Sequence, residues 1–120
     1  MIQTRILELV EYGLVTGLIK TEDKIYTTDE LIDMDVYTSD FEFMDKACEV
    51  VGILIIKGTA RKGMYRLFFL LEDGRKIIAP VFRWQRYLNF FDIPIGTELV
   101  LTFADGRDGK TYLKKMEPVA

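Results

Sequence analysis

Histidine is missing from the chain altogether, and cysteine and tryptophan occur once each, as Cys48 and Trp84. Imidazole is the usual general base near neutral pH and the commonest zinc ligand, so its absence excludes Ser/His/Asp, Cys/His and histidine-metal sites. A single thiol can neither close an internal disulfide nor build an all-cysteine metal site. It suits a reducing compartment, and the expected location is the cytoplasm. Long apolar runs are also missing. The longest, Val50 to Ile56, spans seven residues, against the roughly 20 a helix needs to cross a bilayer. Glu8 and Glu11 interrupt the apolar residues near the amino terminus, so neither a membrane span nor a secretory signal is expected.

What remains is the composition of an ordinary globular protein: 120 residues, 49% hydrophobic and 29% charged, enough for one core and a small appendage. The formal net charge of −3 conceals a division. Residues 1–50 carry twelve acidic and four basic side chains, whereas residues 51–120 carry seven acidic and twelve basic. A chain so divided either turns its basic half toward an anionic partner or covers that half with its own acidic segment.

In the acidic half, Ile2, Ile6, Leu9, Val10, Gly13, Leu14 and Gly17 recur at spacings of three and four, which predicts a helix over about 2–16. Gly17 supplies a left-handed stop, after which Leu18 and Ile19 fold back on the same face. Thr27 with Glu30 and Ser39 with Glu42 both have capping-box spacing and predict short helices near 28–34 and 40–48. These have few apolar residues, notably Leu31, Ile32, Met34, Phe41, Phe43 and Met44, so they need a further surface from this chain or a partner.

From Glu49 onward β-branched and aromatic residues dominate. The pattern predicts strands over 50–57, with a bulge at Gly52, then over 64–71, 75–82, 97–103 and 110–117. Asp73-Gly74 marks a tight hairpin, Pro80 an edge or bulge, and residues 84–91 a short helical connection. The expected fold class is α+β: an acidic helical arm of two to three helices over 1–48, then a basic five-stranded antiparallel barrel over 49–120. Three strands, a short helix and two strands is the order of the OB-fold, and residues 49–118 resemble such a barrel, with an SH3-like barrel as the alternative.

A barrel of that kind implies a ligand face on its second and third strands, flanked by two loops. Here the loops supply Arg61 and Lys62 on one side and Arg107 and Lys110 on the other. Alternation along the second strand turns Arg66 and Phe68 outward. The run Phe82-Arg83-Trp84-Gln85-Arg86-Tyr87 interleaves cations with rings, a pattern that suits single-stranded DNA or RNA, and adds Arg83, Trp84, Arg86 and Tyr87 to the candidates. Trp84 has a competing role as a plug for the barrel end, and the loop cations as solvated side chains. Asp105 to Gly109 lacks the ligand ladder of a calcium loop, and Gly58 to Gly63 lacks the Gly-Lys-Ser/Thr of a phosphate loop. No metal, cofactor or catalytic residue is expected.

The stretch Ile6-Leu7-Glu8-Leu9-Val10-Glu11-Tyr12-Gly13-Leu14, continuing through Gly17-Leu18-Ile19 and Glu22-Asp23-Lys24-Ile25-Tyr26, resembles the amino-terminal helical segment of Firmicutes-type galactose-1-phosphate uridylyltransferases. It covers residues 2–37. That family transfers a nucleotidyl group through a histidine nucleophile, for which this chain has no counterpart, so the resemblance implies a helical segment and carries no activity. Two functions follow from the residues. One is a non-enzymatic module binding single-stranded nucleic acid on the basic face; the other is a protein-interaction or regulatory module in which Phe41, Phe43 and Met44 dock on a partner or a second copy.

Overall fold

Residues 2–19 and 22–119 are described by the computed structural model, and the side chains of residues 2–7 fall outside that description. Helix α1 (Ile2–Val15) ends where Gly17 adopts φ 74°, and the chain turns back so that the Ile19 N–H donates to the Gly13 carbonyl at 3.0 Å. The glycine at 13 is required there, because a Cβ would lie 2.7 Å from the Ile19 side chain. A two-residue strand β1 (Ile25–Tyr26) leads into α2 (Thr28–Asp33). Thr27 and Glu30 form the expected capping box, each side chain accepting from the other's backbone N–H. Lys24 Nζ lies 2.5 Å from Glu30 Oε2, and its hydrogen bond, with those from Thr27, holds the Glu30 carboxyl down at about 2.

The helix expected at 40–48 does not form. A single 3₁₀ turn at Thr38–Asp40 is followed by extended chain in which the Glu42 N–H donates to Lys76 O and Glu42 O accepts from Ile78 N–H. Phe41 and Met44 then enter two different cores, an arrangement that a continuous helix would not permit. Pairing with a distant strand outweighs the local capping signal at Ser39.

The remaining strands are β2 (Cys48–Thr59), β3 (Tyr65–Leu71), β4 (Lys76–Val81), β5 (Glu98–Asp105) and β6 (Thr111–Pro118). They run antiparallel in the order β4-β3-β2-β5-β6, and β1 adds to β2 in parallel, which makes a six-stranded sheet. Gly74 closes the β3–β4 hairpin with φ 91°, as its Asp-Gly sequence predicts. The register of β2 on β3 shifts between Leu54 and Ile56, not at Gly52. Gly52 instead allows close approach: a Cβ there would meet the Leu71 side chain at 2.8 Å and Leu70 O at 2.9 Å.

A closed five-stranded barrel is not what forms. Among the described residues no backbone ladder joins β4 to β6, so the sheet is open. Residues 83–88 and 90–92, the expected connection, are two 3₁₀ turns joined at Asn89 in the left-handed region. They lie across this seam. Gln85, with no exposed surface, accepts from the Phe82 N–H at 2.9 Å and donates to Leu113 O at 2.5 Å. One side chain thus connects the end of β4 to β6 where backbone pairing does not.

Both faces of the sheet are buried. One carries Leu54, Leu67, Phe69, Leu71, Ile77, Leu99, Leu101, Phe103 and Leu113, closed by Met44, Leu88 and Phe90. The other carries Ile53, Ile55, Ile56, Phe68, Leu70 and Ile78, covered by Leu9, Ile19, Tyr26, Leu31 and Phe41 from the acidic half. The surface that the helical segment needs is therefore the chain's own sheet. Lys57, 3% exposed, ties the two halves together through Asp23, with Nζ to Oδ1 at 3.2 Å. No helix among the described residues is long and apolar enough to cross a membrane.

Candidate nucleic-acid interface

The β2–β3 connection turns through Arg61–Gly63, where Lys62 (φ 59°) and Gly63 (φ 73°) both take left-handed conformations. This brings the turn against Arg83: a Cβ on Gly63 would lie 2.9 Å from a terminal guanidinium nitrogen of Arg83. Two segments twenty residues apart in sequence thus place Arg61, Lys62 and Arg83 together. All three side chains are exposed.

From Arg83 the surface continues as rings. Trp84 is 61% exposed and lies parallel to Phe82, with centroids 6.4 Å apart and planes within 2°. It meets Tyr112 in a T-shaped contact with centroids 5.5 Å apart, and its other neighbour is Tyr87 at 6.5 Å. The Tyr87 hydroxyl donates to Lys114 O at 2.7 Å, which fixes an otherwise exposed ring against β6. Tyr112 in turn borders the β5–β6 loop, its ring 3.7 Å from where a Gly106 Cβ would be. That loop carries Arg107 and Lys110 and is closed by the Gly106 N–H donating to Lys110 O at 2.7 Å. Three stretches distant in sequence therefore meet in one surface of aromatic rings and cations.

Charge strengthens this pattern. None of Arg61, Lys62, Arg83, Arg86, Arg107 and Lys110 forms an ion pair among the described residues. An unpaired cation on an exposed loop keeps its full attraction for a phosphate. Trp84 is not the plug of the seam; Gln85 and Leu88 occupy that position, both buried.

Two other candidates lie elsewhere. Phe68 has no exposed surface and meets Phe41 edge-on at 4.9 Å beneath the helical segment, so no base can stack on it while that segment is seated. Arg66 points the same way and is engaged: its guanidinium donates to Thr59 O at 2.9 Å and 3.2 Å and to Thr28 Oγ1 at 3.3 Å. Burial lowers its pKa from the ordinary arginine value. Of the three partner-docking candidates, Phe41 and Met44 are buried and Phe43 is 63% exposed.

Phe82, Tyr112 and Gly63 also contribute to this surface, and none of them is among the candidates drawn from the sequence. Phe82 is the first residue of the ring-and-cation run and is found by counting its ring with the others. Tyr112 is two residues beyond Lys110, on the strand face opposite Leu113, a signal available from alternation alone. Gly63 acquires its meaning only through Arg83, across a contact that no local pattern encodes.

Where the start of β2 meets the end of β3, the surface has the opposite sign, with Glu49, Glu72 and Asp73 around a shallow groove. Nearby Glu98 buries Oε1 without a hydrogen-bond partner, and burial together with the Glu72 carboxylate raises its pKa. A carboxyl whose folded pKa exceeds its unfolded value stabilises the fold only while protonated, so this contribution is lost as pH rises above the ordinary carboxylate range. Glu98→Gln is expected to raise Tm at neutral pH and to leave it unchanged near about pH 3. Thermal melts at the two pH values check this, and an equal shift at both would contradict the assignment.

The chain matches no family model, no curated protein and no solved structure.

Proposed function

We propose that the protein is a non-enzymatic binding module that holds single-stranded DNA or RNA on the surface formed by Arg61–Gly63, Phe82–Tyr87 and the loop from Gly106 to Lys110. The observation that carries this reading is the convergence of those three stretches, through Arg83 on Gly63 and Trp84 on Tyr112. Rings offer stacking platforms to any base, and unpaired cations neutralise the phosphates between them. Gln85 Oε1 holds the Phe82 backbone and the Tyr87 hydroxyl holds its own ring against β6, so part of this surface is ordered before binding.

The strand path β4-β3-β2-β5-β6 supports an OB-like architecture, opened at the seam that Gln85 spans. In this chain the outer face of β3 is occupied by its own residues, which moves the interface to the adjoining loops and turn. The alternative, docking of Phe41, Phe43 and Met44 on a partner, keeps only Phe43 as an available ring.

Fluorescence anisotropy with a labelled single strand at several salt concentrations tests the proposal. Affinity is expected to fall steeply with salt, and Arg83→Ala or Arg86→Ala to reduce the log–log slope by roughly 0.7 each. Trp84→Ala is expected to weaken binding by about 1–3 kcal/mol at every salt concentration. A slope indifferent to both arginines would contradict the reading.

A further inference from the structure

Three described residues other than glycine have positive φ: Asp35, Lys62 and Asn89. Aspartate and asparagine tolerate the left-handed region because their short side chains bond locally, whereas a lysine there sets its Cβ against the following carbonyl oxygen. Lys62 at φ 59° and Gly63 at φ 73° are successive, as in a type I′ turn, for which Asn-Gly is the favoured pair. The Met64 N–H donates to Arg61 O at 3.2 Å and the Ala60 N–H to Met64 O at 2.7 Å, which closes the turn. Its backbone suits an asparagine at position 62, and a cation stands there instead.

A second cost falls on the same turn. The place of the missing Gly63 Cβ is taken by the Arg83 guanidinium, with Nη2 2.9 Å and Nε 3.3 Å from it. Among the described residues no carboxylate pairs with Arg61, Lys62 or Arg83. An arginine from a distant segment is therefore laid on a turn that already carries two like charges, and none of the three is compensated. Backbone strain and gathered charge at one exposed point are both accounted for by an anion that binds there. We infer that Arg61–Gly63 and Arg83 form a clamp for one phosphate group, in which the Arg83 guanidinium, lying over Gly63, offers its planar fork to two phosphate oxygens and Lys62 adds a point charge. This rests on the proposed nucleic-acid reading, in which the group is a backbone phosphate of the strand, and it names the phosphate by which the strand is anchored. Free phosphate has the same chemistry, and the test separates the two sources.

In one arm the full chain is titrated with inorganic phosphate and followed by amide resonances, with chloride at equal ionic strength as the control. In the other it is titrated with a labelled oligothymidylate of about twelve nucleotides and followed by anisotropy. Phosphate is expected to shift residues 61–64 and 83 where chloride does not, and Arg83→Gln to abolish that response. The same variant is expected to weaken the strand about 10-fold, the worth of one charge-assisted contact. Arg83→Lys, which keeps the charge without the fork, is expected to stay several-fold weaker than the parent. Lys62→Asn is expected to raise Tm by about 2–4 °C, because it relieves the turn, and yet to weaken the strand several-fold. A lysine with a merely structural role would not move stability and binding in opposite directions. Phosphate bound at residues 61–64 without strand binding would support the clamp and overturn the nucleic-acid reading. A strand held by Lys62→Asn and Arg83→Lys as tightly as by the parent, with residues 61–64 indifferent to phosphate, would overturn the clamp and leave the wider surface intact. No response to either ligand would overturn both.

Discussion

Residues 47–120, produced without the preceding segment, are expected not to fold cooperatively. Removing that segment uncovers Ile53, Ile55, Ile56, Phe68, Leu70 and Ile78, all at most 2% exposed in the intact protein. It also removes Leu9, Ile19, Tyr26, Leu31 and Phe41, each 3–8% exposed. Burial of such side chains stabilises by about 1.5–3 kcal/mol apiece, and the whole fold of a small domain is stable by only about 5–15 kcal/mol. The loss therefore rivals the total. Lys57 would be left without Asp23, and the outer edge of β4 without Glu42. A point change isolates the main contact: Phe41→Ala deletes the ring that meets Phe68 and lies under Lys76 Nζ, and is expected to cost about 3–5 kcal/mol. Circular dichroism melts and dispersion of amide resonances check both. A sharp, native-like melt from the shortened chain would contradict the shared core.

Gln85→Leu is expected to destabilise the protein by about 2–5 kcal/mol, despite being close in size and more apolar. The substitution leaves the Leu113 carbonyl without its partner at a buried position and the Phe82 N–H without its partner at a half-buried one. Each unsatisfied group costs about 1–3 kcal/mol. Because β4 and β6 have no ladder between the described residues, no neighbouring backbone bond takes over. Gln85→Glu is expected to fare no better, since it keeps the acceptor for Phe82 but turns the donor facing Leu113 O into a second acceptor. At about 4 °C per kcal/mol for a domain of this length, the Tm loss for leucine is on the order of 8–20 °C. A melt within a degree or two of the parent would mean that Gln85 is not what joins the seam. The same variant loosens Trp84 and Tyr87, so strand affinity is expected to fall with stability.

Local devices were legible in the sequence because their partners lie within a few residues. The Thr27–Glu30 box, the Gly17 stop with Ile19 folding back, and the Asp73-Gly74 hairpin each stand as their spacing implies. Ser39 and Glu42 have the same spacing as Thr27 and Glu30, yet Glu42 pairs with β4, thirty-odd residues away, and the local signal yields. Strand β1 is two residues long and parallel, too short to leave a periodic trace. Element order suggested a barrel, but closure depends on hydrogen bonds between β4 and β6 that no pattern within either strand records.

The same boundary divides the site. Arg83, Trp84, Arg86 and Tyr87 stand in one run and could be read directly, whereas Gly63 under Arg83 and Tyr112 against Trp84 are contacts across the fold. Alternation correctly turned Arg66 and Phe68 away from the face of Leu67 and Phe69. It could not reveal that the acidic half covers that outer face. The charge division itself was visible, and the packing gives it a physical sense: the acidic segment covers an apolar face of the sheet, while the exposed cations gather on loops beyond it.

The most direct test is an amide-resonance titration of the intact protein with a short single-stranded oligonucleotide at low salt. The account predicts shifts concentrated at residues 61–63, 82–87 and 106–112, reversed by added salt, with residues 53–57 beneath the helical segment unmoved. Shifts confined to the helical segment around Phe43, or none at any strand concentration, would contradict it.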